Sequence, residues 1–173
     1  MQKIIKISLL LIFVLSSTIG SAQLNKRKKS KKDTHNFRYE IECIGEGKQG
    51  TYAIKVFSYS KKPHIAIEAA KRNAVHGIIF KGIAGGGCIN KPALARNQNL
   101  EQEKADFFKD FFANGGKYSK FVVASTDGAT EAGDITKISK KEFKVGVNVS
   151  VNVSLLRKDL EAAGIIKGLA SGF

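Results

Sequence analysis

The feature that most constrains the fold is a strict alternation of apolar and polar residues near the C-terminus. Over residues 143–154, one phenylalanine and five valines occupy every second position, and small or polar side chains and one lysine lie between them. Successive side chains of a β-strand point to opposite faces, so this pattern predicts a long strand with one buried face. We interpret the row of Asn148, Ser150 and Asn152 as a solvated sheet face, which is typical of antiparallel sheets.

Two further strands and a helix are predicted in the first half of the chain. Apolar residues alternate with charged ones over residues 39–43, and residues 51–60 are rich in β-branched and aromatic side chains. The glycine-rich residues 45–50 between them predict a hairpin turn. Pro63 indicates a helix start, and small residues then recur at intervals of three and four, which predicts close packing against a sheet or another helix. This face comprises Ala66, Ala69, Ala70, Asn73, Ala74 and Gly77.

The second half predicts two more helices around another strand. Asn99 is expected to cap a helix rich in phenylalanine, and we expect Phe112, which lies outside its main apolar stripe, to be buried. Residues 121–125 have the composition of a central strand. Ser154 is expected to cap the last helix, which ends at Gly164.

The predicted order of elements is strands, helices, strands and a helix. It indicates a single α+β domain over residues 37–173, in which helices pack on one face of a mostly antiparallel sheet. A chain of 173 residues with 43% hydrophobic and 25% charged residues fits one such domain. This composition excludes a disordered chain, a collagen and a polytopic membrane protein.

Residues 1–22 have the pattern of a secretory signal peptide. Two lysines precede an apolar stretch at residues 7–15, and Gly20 and Ala22 supply the small side chains that a signal peptidase requires. The apolar stretch is about half of the roughly 20 residues that span a bilayer, so we favour a cleaved signal over a membrane anchor. The first cysteine is Cys43, far from the junction, so no lipid anchor is expected. The mature protein is predicted to be periplasmic or extracellular, with no transmembrane anchor after cleavage.

Residues 23–36 are predicted to form a basic, disordered linker. They account for six of the 29 basic residues of a chain with a formal net charge of +14. The cluster consists of Lys26, Arg27, Lys28, Lys29, Lys31 and Lys32. It is either a solvated linker or a tether to an anionic surface or polymer. No aromatic residue interrupts the cluster, so a stacking platform for nucleic-acid bases is missing and no specific nucleic acid is expected.

The glycine-rich loop after the first helix is the first candidate for a functional segment. Residues 85–92 lack a regular pattern, and the candidate functional residues within them are Gly85, Gly86, Gly87 and Cys88. Cys43 and Cys88 are the only cysteines, and they either form a disulfide or leave Cys43 as a buried thiol. A nucleophilic role for Cys88 is disfavoured because no histidine lies near it in the sequence.

No catalytic residue, cofactor site or metal site is predicted. Gly45, Gly47 and Gly50 with Lys55 resemble the glycine loop and lysine of protein kinases, but the catalytic and metal-binding motifs of kinases are absent and the spacing to Lys55 is too short. The three histidines show no spacing typical of metal ligands. The alternative of an envelope-polymer hydrolase would have to draw its acids from six unpaired positions. These are Glu101, Glu103, Asp106, Asp127, Glu131 and Asp134.

The signal peptide, the hairpin and the alanine-rich helix around residues 67–75 together resemble small α+β domains of bacterial envelope assembly proteins. The N-terminal domain of the flagellar T-ring protein and domains that accompany the curli secretion channel are similar in element order over residues 39–153. The resemblance implies a non-enzymatic protein that docks on an envelope protein complex or self-associates as a homo-oligomer. Binding of a polyanion or surface through the basic cluster is the main alternative.

Overall fold

The computed structural model describes residues 37–84, 87–124 and 134–168. These residues form an α+β fold with one antiparallel sheet, as predicted. Its elements are β1 (Tyr39–Glu46), β2 (Thr51–Ser60), α1 (Pro63–Phe80), α2 (Leu100–Glu103), α3 (Ala105–Phe111), β3 (Val122–Ala124), β4 (Ile135–Ser139), β5 (Glu142–Asn152) and α4 (Val153–Ala162).

The sheet is built around β5, the strand with the strict alternation. β1 pairs with β2, and β2 pairs with β5 along ten residue pairs. The other edge of β5 is shared, because β4 pairs near its start and β3 near its end. All four strand pairings are antiparallel, as the one-sided burial of β5 predicted.

The core lies between α1 and one face of the sheet. Ile54 and Val56 of β2 are fully buried there, next to the valines of β5. The small-residue face of α1 is buried as predicted, and it permits a very close approach to β1. A Cβ atom at Gly77 would lie 2.1 Å from Cδ1 of Ile41, so only glycine fits at this position without a rearrangement.

The phenylalanine-rich region covers one end of α1. Phe108, Phe111 and Phe112 are 3–4% exposed, which confirms the predicted burial of Phe112. The region forms two short helices rather than one, because Lys104 between them has a non-helical ψ of 35°. The predicted side-chain cap by Asn99 is wrong: the Asn99 side chain makes no capping bond.

The strand predicted over residues 121–125 is present as β3, but its predicted central position in the sheet is wrong. Phe121 ends a 3-10 turn, and only β3 follows, at an edge of the sheet where Val123 is 67% exposed. The residues of β4, which the sequence did not predict, are all exposed. A strand without a buried face carries no apolar alternation, so periodicity could not reveal it.

The last helix begins at Val153, and its N-cap lies two residues before the predicted cap. The side-chain oxygen of Asn152 accepts a 2.9 Å hydrogen bond from the N–H of Leu155, so Asn152 is the N-cap and Ser154 lies in the first turn. The helix ends before Gly164, which adopts φ = +66°. This conformation favours glycine and confirms the predicted stop.

Several predicted features lie outside the described residues. They are the signal peptide and basic linker of residues 1–36, Gly85 and Gly86 of the loop, and Asp127 and Glu131 among the candidate acids. Within the described ranges, no helix has both the length and the apolar character needed to cross a membrane.

Candidate functional site

A disulfide joins the glycine-rich loop to the edge of the sheet. Cys43 of β1 and Cys88 of the loop are bonded, with their Cα atoms 5.7 Å apart. Cys43 is 4% exposed and belongs to the core, whereas Cys88 is partly buried beside it. The sequence left the pairing open, and the structure places the two cysteines in a covalent link. The reading of Cys88 as a nucleophile is therefore excluded for this oxidised form.

Backbone hydrogen bonds hold the same loop in place on both sides of the disulfide. The N–H of Gly87 donates to the carbonyl of Cys43 over 2.9 Å, and Ile83 and Lys91 exchange two backbone bonds of 2.8 and 2.9 Å. A Cβ at Gly87 would lie 2.7 Å from the carbonyl oxygen of Ile44, so a larger residue would push the loop away from β1. The predicted functional loop is thus pinned against β1 in its described part.

A β-bulge next to the disulfide turns Ile44 out of the ladder. Cys43 pairs with Ile54 and Gly45 with Ala53, so Ile44 is the extra residue of β1. Bulges at sheet edges commonly redirect a side chain. Ile44 is 50% exposed, and Ile89, which directly follows the second cysteine, is 76% exposed. The disulfide therefore presents two isoleucines from separate segments at one edge of the protein.

The outer edge of β1 also presents backbone groups. The N–H and C=O of alternate residues in an antiparallel strand point to the same edge. Because the carbonyl of Cys43 faces outward to Gly87, the backbone groups of Tyr39 and Ile41 face outward as well. Among the described residues, no loop or neighbouring strand pairs with β1 at these two positions. We call the outer side of residues 39–44 together with Gly87–Ile89 the docking edge.

An ion pair between Lys91 and Glu46 links the loop to the last residue of β1. Nζ of Lys91 lies 3.5 Å from the carboxylate of Glu46, and it also lies 5.8 Å above the ring centre of Tyr52. A hydrogen bond to Tyr52, together with the nearby Glu46, raises the pKa of Lys91. Lys91 therefore stays charged, and it forms a polar border beside the apolar tip of the loop.

A series of hydrogen-bonded polar side chains connects β1, α1 and α2. The Tyr39 hydroxyl lies 2.6 Å from Nδ1 of His76, and Nε2 of His76 lies 3.1 Å from the Glu101 carboxylate. Tyr39 and His76 are 8% and 4% exposed. The ring of Phe37 stacks on His76 with 3.6 Å between the centroids, and Phe80 and Phe112 flank it.

Burial controls the protonation of these three side chains. Loss of hydration, followed by repulsion from Lys81 and Arg72, lowers the pKa of His76 to about 3, so the imidazole is neutral. Burial also raises the pKa of Glu101 and of Tyr39. This arrangement of a tyrosine, a histidine and a carboxylate is similar to a catalytic proton relay, but Glu101 is the only one of the three side chains that reaches solvent. No sequence motif indicates these three side chains as a group, because successive members are 37 and 25 positions apart.

The polar face of the sheet carries three ion pairs between segments that are distant in the sequence. Arg38 contacts Glu142 at 2.7 Å, Lys144 contacts Glu40 at 2.6 Å, and Lys55 contacts Asp134 at 2.5 Å. The Tyr59 hydroxyl also donates to Glu40. Hydrogen bonds from Lys144 and Tyr59 lower the pKa of Glu40. The charges on this face are largely matched by one another.

The candidate hydrolase acids that the structure describes have separate partners. Glu101 contacts His76, Glu103 accepts a hydrogen bond from Asn97, and Asp134 pairs with Lys55. Asp106 is exposed on α3. Within residues 37–84, 87–124 and 134–168, no cluster of three or more histidine, cysteine or acidic side chains could hold a metal ion.

Comparison with known proteins adds no function. No family model matches the chain. A search of curated proteins and a search of solved structures also find no match. The resemblance to envelope assembly domains stays a prediction, and the function has to be inferred from the geometry of the chain itself.

Proposed function

We propose that the protein is an exported, non-enzymatic interaction domain that docks on a protein partner of the cell envelope through the docking edge. The observation that carries this proposal is the pair Ile44 and Ile89, which are 50% and 76% exposed on either side of one disulfide. Exposed aliphatic side chains gain free energy when a partner covers them, about 25 cal/mol per Å² of buried apolar surface.

Main-chain groups give the same edge a means of recognition. An extended segment of a partner can add to an open strand edge, because the backbone supplies hydrogen bonds and the alternating side chains supply specificity. The outward groups of Tyr39 and Ile41 offer such bonds, and Ile44 and Ile89 offer the apolar anchors. The disulfide holds both segments before binding, which reduces the entropic cost of association.

Charge on β1 favours a different protein over a second copy. In a two-fold pairing of β1 strands centred on Ile41, Glu40 of each copy would lie opposite Glu42 of the other. Like charges directly opposite each other in neighbouring strands are destabilising. Self-association through this edge is therefore the less favoured arrangement.

Two further features support an exported, binding role. Disulfides persist in oxidising compartments, where the predicted signal peptide would send the chain. Aromatic rings cover Tyr39 and His76, so Glu101 is the only one of these three side chains that a substrate could contact directly. A positioned catalytic base needs direct access to the proton that it abstracts.

The test is partner capture with matched variants. The double variant Ile44→Ser, Ile89→Ser removes both apolar anchors, and Leu155→Ser on α4 is the control, because Leu155 is 48% exposed. A photo-crosslinking residue at the exposed position 42 of β1, which none of these variants changes, should trap a defined envelope protein in wild type and in the control. The same adduct should be lost in the double variant, while sedimentation velocity separates self-association from binding of another protein. An adduct that survives the double variant would overturn the proposal.

A further inference from the structure

One end of the sheet collects lysines from three segments of the chain. Ser60 and Lys137 both pair with Phe143, from opposite sides of β5. The ends of β2 and β4 therefore lie beside the start of β5, within about two strand spacings of roughly 4.8 Å each. Lys62 follows the end of β2, and Lys140 and Lys141 form the turn between β4 and β5. All four lysine side chains are exposed, and we call this group, Lys62, Lys137, Lys140 and Lys141, the lysine end.

The acidic side chains near the lysine end are already neutralised. Glu142 pairs with Arg38 at 2.7 Å, and Glu40 pairs with Lys144 at 2.6 Å. None of the four lysines forms an ion pair with another described residue. Their positive charges are therefore available to an external anionic partner.

Exposed aliphatic side chains accompany these lysines. Ile138 and Ile135 of β4 are 47% and 38% exposed, and Ile138 lies between Lys137 and Lys140 in the sequence. Lysines beside exposed aliphatic residues are the combination that binds a lipid interface, where the cations meet headgroups and the apolar side chains enter the acyl boundary. Recognition of single-stranded nucleic acid relies instead on aromatic or arginine planes for stacking.

We propose that the lysine end binds the surface of an anionic lipid bilayer, with Ile138 and Ile135 entering the interfacial region. This surface is distinct from the docking edge and does not depend on the proposed protein partner.

The experiment measures vesicle binding of the full chain, with whatever N-terminus the producing cell leaves on it. The probes are vesicles of phosphatidylcholine with phosphatidylglycerol in equal amounts, and vesicles of phosphatidylcholine alone. We expect binding to the anionic vesicles that weakens as salt is raised. Each lysine lost from the lysine end should weaken binding about fivefold, so Lys140→Glu, Lys141→Glu should weaken it by at least roughly 25-fold.

Two controls make the result specific. Lys109→Glu, Lys158→Glu makes the same change in net charge at exposed positions on α3 and α4, and it should leave vesicle binding much closer to wild type. Ile135→Ser, Ile138→Ser keeps the charge and should also weaken vesicle binding, while circular dichroism confirms folding. Equal losses in the two lysine variants would overturn the proposal, because net charge alone would then explain binding.

A single-stranded oligonucleotide distinguishes the other class of anionic partner. If the isoleucine variant binds vesicles like wild type, and the Lys140 and Lys141 variant loses oligonucleotide and vesicle binding equally, the lysine end is a general polyanion site and the lipid proposal is wrong. Loss of vesicle binding with retained partner capture would separate this surface from the docking edge.

Discussion

The hydroxyl of Tyr39 lies 2.6 Å from Nδ1 of His76, across the interface between β1 and α1. Nε2 of His76 contacts the Glu101 carboxylate, which can only accept a hydrogen bond when ionised. The arrangement that satisfies all three groups has Tyr39 donating to Nδ1 and Nε2–H donating to Glu101. The neutral imidazole is thus fixed in one tautomer, and it links α1 to β1 and to α2.

Stability should decrease at mildly acidic pH because of His76. The unfolded chain binds a proton at His76 with a pKa near 6.5, whereas the folded protein holds the pKa at about 3. Between these values the unfolded state binds more protons, so the free energy of unfolding falls as pH decreases from about 6.5 toward 3. The contribution of His76 should be about 2 kcal/mol lower at pH 5 than at pH 7. Urea denaturation at both pH values measures this difference.

The matched variants are His76→Gln and His64→Gln. Glutamine can accept from Tyr39 and donate to Glu101 without titrating, so the first variant should have a smaller loss between pH 7 and pH 5. His64 is exposed, and His64→Gln is the control for the same replacement at a surface histidine. Burial raises the pKa of Glu101, which works in the opposite direction and reduces the total change. An unchanged slope in His76→Gln would contradict the assignment.

Reduction of the disulfide should destabilise the domain. The bond between Cys43 and Cys88 closes a long loop, with a sequence separation of 45. The chain-entropy account predicts a contribution of about 4 kcal/mol for a loop of this length. Guanidinium denaturation with and without reductant measures the effect. The double variant Cys43→Ser, Cys88→Ser should resemble the reduced wild type and should not respond to reductant.

Glycine at position 77 should be required for the contact between α1 and β1. A Cβ there would meet Cδ1 of Ile41 at 2.1 Å, so Gly77→Ala should destabilise the protein by about 1–3 kcal/mol despite its higher helix propensity. Ile41→Val removes the clashing methyl group. The double variant should therefore recover part of the loss, and thermal unfolding of both single variants and the double variant completes the cycle. Additive losses would show that Ile41 does not set the constraint.

Sequence periodicity predicted the elements that are buried on one side. β5 and α1 each present an apolar or small face to the core, and each occurs where the pattern placed it. Periodicity did not predict β4 because the residues of this strand are all exposed. It misplaced β3 because a short apolar run does not show whether a strand is central or at an edge. The side-chain cap at Asn99 was wrong because the backbone of Asn99 is helical (φ −91°, ψ 0°) rather than extended, and its carbonyl, not its side chain, accepts from the N–H groups of Gln102 and Glu103.

The candidate sites depended on contacts between distant residues. The sequence identified Cys88 and its loop by composition, but the pairing with Cys43 depends on α1 bringing the loop back to β1. The exposure of Ile44 arises from a bulge, which an alternating pattern does not reveal. The lysine end likewise depends on strand register, because Lys62 and Lys140 belong to segments far apart in the chain.

The start of α4 offers a direct comparison of two possible caps. Asn152 accepts the hydrogen bond from the N–H of Leu155 over 2.9 Å, while Ser154 lies in the first turn and is exposed. Loss of an N-cap side chain costs about 1 kcal/mol, so Asn152→Ala should lower the free energy of unfolding by that amount. Ser154→Ala should change it by less than about 0.5 kcal/mol, as for other surface substitutions. Urea denaturation of the two variants distinguishes them, and a larger loss in Ser154→Ala would mean that the serine caps the helix in solution.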